Sequence, residues 1–195
     1  MSPSVPGHVD PKRVRASRLK LLLVASIFAA PFLVALVLTK SGWQPGVKSH
    51  GEPVLPQRNF QQEHLQVKLD DGSTWPWRAS TPRLTLIALP GPDCASHCFA
   101  ALTGMAKARV MLNKNESRLR LLYVGAPPAD ATALAAMKNY WRLGTDVDHK
   151  LDAYRPATPD SVSALLVESN GTVLSRYPAG FDVSGLLQDM RKVIR

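Results

Sequence analysis

Hydrophobic residues are spaced in several distinct ways along this chain. From Leu21 to Leu38 the sequence runs "LLLVASIFAAPFLVALVL" without a charge, close to the ~20 residues a helix needs to cross the hydrocarbon core. The run has no polar face of the kind a core helix shows, and Pro31 predicts a kink rather than a break. In "HLQVKLDDGSTWPW" the period falls to two: Leu65, Val67 and Leu69 alternate with polar residues before Asp71-Gly72, predicting a half-buried hairpin. "RLTLIALP" (83–90) and "LRLLYV" (119–124) are continuous apolar runs of strand length, as strands buried on both faces require. Between them Leu102, Met105, Ala106, Val110 and Leu112 recur at helical spacing. Strand, helix and strand within so short a stretch form a βαβ unit with parallel strands.

Further along, a helix is expected from Asp130, a suitable N-cap, to Arg142, stopping before Gly144. "VSALLVESNGTVLSRYP" predicts two strands joined at Asn170-Gly171. "DVSGLLQDMRKVIR" predicts a closing amphipathic helix capped by Asp182, with Val183, Leu186, Leu187, Met190 and Val193 in one stripe. The order β-β-β-α-β-α-β-β-α matches an α/β, thioredoxin-like domain over residues 59–195 with an N-terminal β-hairpin extension. Ahead of it lie a basic segment (1–20), one transmembrane helix (21–38) and a Gly- and Pro-rich linker (39–58).

Charge refines this outline. The net charge of +9 suggests nucleic acid at first, but Lys12, Arg13, Arg15, Arg18 and Lys20 crowd before the apolar run, where topology explains them. The remaining basic residues form no aromatic-interleaved stripe, so a nucleic-acid partner is rejected. Only Lys40 follows the run closely, which orients the N-terminus to the cytoplasm and the C-terminal domain outward. The exit "TKSGW" lacks a small-residue cleavage pattern, so the span is read as an uncleaved single-pass anchor. In a bacterium this means the inner membrane, with the domain in the periplasm, where a thiol pair is oxidised unless something reduces it.

Cys94 and Cys98, the only cysteines, sit in "GPDCASHCFAAL", where the first buried strand gives way to its helix. At i and i+4 of a helix start they can share a face. Helix-terminal N–H groups would there depress a thiol pKa. Such a pair can exchange electrons, or offer two soft ligands to Cu(I). It can also close as a structural disulfide, whose small loop brings little chain-entropy stabilisation. A closed zinc site would need more Cys or His than any compact set here supplies. Hydrolase elbows, zincin helices and phosphate loops are absent from the sequence.

The stretch "LTLIALPGPDCASHCFAALTGMAKARVMLN", after a "DG" hairpin and before "ALLVESNGTVLSRYP", resembles the Sco/SenC group. These are membrane-anchored, thioredoxin-like proteins of cytochrome c oxidase assembly. The resemblance implies that Cys94 and Cys98 are copper-binding and redox cysteines, with cytochrome c oxidase or other assembly factors as partners. The group's third copper ligand is a His just before the penultimate strand, a register that Asp160 occupies here. Carboxylate is a hard ligand, poorly suited to Cu(I), so His149, His97 and Met105 are the substitutes to consider. His50 and His64 read as surface residues. Thioredoxin-type reductases carry a cis-proline before that same strand, where the count places Val162. The expectation is therefore an accessory assembly factor handling Cu(I) or exchanging thiols at the oxidase copper site. The alternatives are a general exported thiol–disulfide reductase and a scaffold with a permanent disulfide.

Overall fold

The computed structural model describes residues 11–41, 49–81, 83–128 and 130–194, with backbone alone at 11–17, 19, 22, 39 and 41. The chain divides into two units, Met1–Lys48 and Ser49–Arg195. In the first, α1 (Pro11–Ser41) is 31 residues long. It takes in much of the expected basic segment, so helix begins well before Leu21; the first ten residues and part of the linker (42–48) lie outside the described residues. Leu21, Ile27, Phe28, Phe32 and Leu33 are each at least 60% exposed. Among the described residues no helix is long and apolar enough to cross a membrane.

The second unit is built on a six-stranded mixed sheet. Its elements are β1 (Val67–Leu69), β2 (Leu84–Pro90), α2 (Ser96–Val110), β3 (Leu119–Val124), α3 (Ala131–Lys138), β4 (Arg142–Asp146), β5 (Val162–Val167), β6 (Val173–Tyr177) and α4 (Val183–Val193), and the strand order is β1-β4-β3-β2-β5-β6. β2 runs parallel to β3, and β3 to β4; β5 and β6 complete one side and β1 the other, antiparallel to their neighbours. Every residue of β2 is buried because both faces are covered. Leu84, Leu86 and Ala88 meet α2, α3 and α4 on one face. Ile87 and Leu89 meet Phe60, Trp75, Trp77, Leu151 and Tyr154 on the other. The second face thus has a cover of loop aromatics: Trp77 stacks at a tilt on Phe60, with centroids 5.1 Å apart, and donates its indole N–H to the Leu65 carbonyl.

Local signals acted as expected at the helix caps and the hairpin. Asp130 accepts from the Thr132 and Ala133 N–H groups, Asp182 from those of Ser184 and Gly185. Gly171 turns the β5–β6 hairpin at φ +88°, a conformation that favours glycine. Two expectations need correction. The early hairpin is short: β1 meets its return arm in one bridge, Lys68 to Thr74, and otherwise pairs with β4. The expected helix reaches Arg142, the first residue of β4, which the sequence pattern does not mark as a strand. That helix ends at Lys138, Trp141 turns into the core, and 142–146 pairs with β3 and β1. Gly144 is thus a strand residue rather than a helix stop; a Cβ there would come within 2.7 Å of Val67 Cγ1. Gly144→Ala is expected to cost about 1–3 kcal/mol by overpacking, seen as a lowered midpoint in thermal unfolding of the full chain followed by near-UV circular dichroism.

Two further features tie down the start of this unit. Asp189 of α4 is buried, and its carboxylate accepts from Ser49 Oγ (3.0 Å), the N–H groups of His50 (2.7 Å) and Gly51 (3.0 Å), Tyr177 OH (3.2 Å) and Lys192 Nζ (3.1 Å). Just downstream, Glu52 bridges Arg176 and Asn59 bridges Thr172, so the incoming segment pairs along the outer edge at and near β6. Glu52 and Arg176 exchange both backbone hydrogen bonds at 2.8 Å.

Candidate functional site

At the carboxyl end of β2 the chain must turn sharply from strand to helix. Pro90 ends the ladder, and Gly91 donates its N–H to the Ser161 carbonyl at 2.9 Å. A Cβ on Gly91 would lie 2.4 Å from the Thr158 carbonyl oxygen, so the loop before β5 is pressed against the motif at a spacing only glycine permits. α2 then begins at Ser96 with Ala95 as its N-cap, and Ala95 has no side chain able to cap it.

Cys94 and Cys98 are joined as a disulfide, with S–S 1.99 Å and Cα–Cα 5.1 Å. Cys98 lies in the first turn of α2 and is fully buried, while Cys94 precedes the N-cap and stays partly exposed. The expectation of two cysteines on one helical face is corrected here: Cys94 reaches Cys98 from the loop. This asymmetry distinguishes the two sulfurs by exposure. One cysteine is partly open to solvent and the other sits behind it in the core.

The donors of that first turn are satisfied from across the site. Asp160, in the left-handed region at φ +49°, places Oδ1 at 2.9 Å from the N–H groups of both Ala95 and Cys98, and Oδ2 at 3.0 Å from that of His97. Its own N–H donates to the Asp93 carbonyl at 2.9 Å. The bonds from Cys98 and His97, followed by that from Ala95 and the nearby His97 ring, hold its carboxyl below the ordinary carboxylate value, against a smaller opposing effect of desolvation. Asp160 is therefore an N-cap supplied by a distant loop. The N–H groups expected to depress a thiol pKa are already committed to a carboxylate.

The other singled-out residues do not join it. His149 sits on an exposed loop, its side chain 79% exposed and Nδ1 3.1 Å from Asp152 Oδ2. His97 contributes its backbone, and its side chain is exposed. Met105 is fully buried in the core on the helix side of the sheet. Among the described residues no group of three or more His, Cys, Asp or Glu could hold a metal ion. The Cu(I) donor set implied by the sequence resemblance is therefore not assembled: the two sulfurs are bonded to each other, and Asp160 is occupied by backbone N–H groups. The cis peptide in the described part is Leu55–Pro56, and neither Pro156 nor Pro159 is cis.

Cys94 opens onto a cleft of about 240 Å3 whose wall includes Pro90, Pro92, Tyr123, Pro127 and Pro128. A neighbouring cleft of about 550 Å3 continues along the sheet's carboxyl edge past His149 and Arg155. Arg155 was not singled out from the sequence. It closes the ends of β2 and β3 by donating to the Val124 carbonyl (2.8 Å) and the Pro90 carbonyl (3.4 Å), while Asp152 accepts from its Nε at 3.0 Å. A larger apolar groove, about 670 Å3, lies along α2 between Phe99 and Met111 and does not include the sulfurs.

Residues 85–195 match the family described as "Transmembrane-like, thioredoxin-like, C-terminal domain", more than half of the chain. Among solved structures, apo Sco1 from Thermus thermophilus superposes with a TM-score of 0.52 at 10% identity, over 77% of this chain and 99% of that one. Peroxiredoxin Q from Xanthomonas campestris gives 0.48 at 16%, over 73% and 97%. Copper-bound ScoI from Bradyrhizobium japonicum gives 0.46 at 12%, over 66% and 96%. At 10% identity the likeness to apo Sco1 shows the thioredoxin-like fold alone. No curated protein sequence matches the chain.

Proposed function

We propose that this chain, which belongs to the transmembrane-like, thioredoxin-like C-terminal domain family, exchanges thiols and disulfides with an exported partner protein through Cys94 and Cys98. The observation that carries the reading is the pairing of a partly exposed Cys94 with a fully buried Cys98 at the strand-to-helix turn. In the reduced pair, the Cys94 thiolate attacks one sulfur of the partner's disulfide. The bond Cys94–S–S–partner forms, and the partner's second sulfur leaves as a thiolate. Cys98, deprotonated in turn, attacks Cys94 Sγ from the core side. The intramolecular disulfide closes, the partner's first sulfur is released as a thiolate, and two electrons have passed to the partner. The reverse sequence oxidises a partner dithiol.

The uncharged run 21–38 and the basic residues ahead of it support a single-pass anchor in the inner membrane, with the N-terminus cytoplasmic and the domain periplasmic. The narrower form of the proposal takes a copper-receiving cysteine pair of cytochrome c oxidase as the partner; it is supported by the resemblance of the motif and final hairpin to the Sco/SenC group. Cu(I) itself would be a cargo, and this domain would have to open its disulfide and recruit a third donor to carry it.

The test uses the reduced full chain without oxygen. Cu(I) is titrated against a competing chelator, and oxidase activity and copper content are measured in cells carrying Cys94→Ser/Cys98→Ser. Weak copper binding with loss of oxidase copper is the expected pair of results. Tight one-to-one binding, lost on oxidation, would replace exchange with copper delivery. An oxidase unaffected by the double substitution would remove the oxidase from the proposal, and full function in every assay would leave a scaffold.

A further inference from the structure

A helix start is where a thiolate gains most from its surroundings, because unpaired N–H groups and the helix dipole favour negative charge. A dithiol whose reduced form is stabilised in this way is a strong oxidant, since its disulfide is easily opened. In this protein the same donors are taken from outside. Asp160 holds the N–H groups of Ala95, His97 and Cys98. Its full negative charge stands at the helix end where a Cys94 thiolate would have to form.

None of the contacts that hold Asp160 in place involves a sulfur atom. All three donors are backbone groups. The loop bearing Asp160 is fastened independently by Asp160 N–H to the Asp93 carbonyl and by Gly91 N–H to the Ser161 carbonyl. Of the titratable groups nearby, the His97 side chain acts electrostatically on the carboxylate, and Asp93 adjoins Cys94 in the sequence. Among the described residues no Lys or Arg lines the cleft that holds Cys94; the guanidinium of the site, Arg155, lines the neighbouring cleft.

We infer that Asp160 is a positioning residue that keeps the disulfide the favoured state of the pair, so that the reduced pair donates electrons to its partner rather than accepting them. The inference rests on the exchange reading above and gives it a direction. Two electrons and two protons per cycle then come from an exported dithiol donor, which reduces the Cys94–Cys98 disulfide and is itself oxidised.

The experiment equilibrates the detergent-solubilised full chain with buffers of reduced and oxidised glutathione and counts free thiols by alkylation. Asp160→Asn and Asp160→Ser each keep an oxygen able to cap the helix and remove the charge. Both are expected to shift the equilibrium constant at least tenfold toward the reduced pair, about 30 mV for a two-electron couple. Two variants guard against one failing to fold. An unchanged constant in a folded variant would reduce Asp160 to an ordinary cap and overturn the inference while leaving exchange intact. A wild-type pair that glutathione neither reduces nor reoxidises would overturn exchange itself, and the inference with it.

Discussion

Cys94→Ser is expected to bring exchange down to the uncatalysed background, whereas Cys98→Ser will leave the first step intact and arrest the second. The difference follows from exposure. Cys94 is the sulfur a partner can reach, and Cys98, fully buried in the first turn of α2, can attack only Cys94. Without Cys98 nothing inside the protein resolves the mixed disulfide, so a covalent complex should accumulate and dissolve on adding a small dithiol. Non-reducing electrophoresis followed by mass spectrometry reads both outcomes and identifies the trapped partner. Equal trapping by the two single variants would show that the sulfurs are interchangeable and would remove the assignment of roles.

The second large effect is expected far from the sulfurs. Asp189→Ala removes a buried carboxylate that serves five donors. Two of those are the backbone N–H groups of His50 and Gly51, which the fold then leaves short of a partner. The loss is about 3 kcal/mol, and at 2–4 °C per kcal/mol for a domain of this size the midpoint should fall by roughly 10 °C. The same group gives stability an acid limit. Burial opposes its ionisation most strongly among the single effects, but Lys192 and the backbone and hydroxyl donors together hold its carboxyl below the usual range. A carboxyl with a depressed folded pKa contributes fully above its unfolded value of about 3.9 and loses that contribution as pH falls through the folded value. Thermal scans from pH 7 to pH 3 should therefore show a steep acid decline in the wild type and a shallower one in Asp189→Ala. Parallel curves would rule this carboxyl out as the cause.

What was legible in the sequence follows from how far each signal reaches along the chain. β2 and β3 were visible because strands buried on both faces need largely apolar runs, and β5 because the Asn170-Gly171 turn marks where its strand ends. Asn170-Gly171 and the caps Asp130 and Asp182 act within three residues, so their chemistry is written locally. β4 was hidden because it alternates by neighbour rather than by hydropathy: Gly144 is there for Val67, and Asp146 is buried to accept the Leu151 N–H. Asp160 looked like a poor substitute for a metal ligand, since its partners stand 62 to 65 residues earlier and no local pattern links them. The cysteine pair was legible as chemistry, but the exposure difference that assigns its roles exists only once the core has formed.

The strand-like pairing of Glu52 and Asn59 along the outer edge has a consequence for the company this domain keeps. An exposed edge strand is a template on which another chain can add itself, and under the proposed exchange reading the domain would meet partners with extended, unpaired segments. The incoming segment uses hydrogen-bonding positions at Arg176 and Thr172, and at the opposite margin β1 is only three residues long. With one margin partly covered and the other too short to serve as a template, a partner of the proposed exchange would find little backbone on which to zip up and would be left to meet the domain at the sulfur.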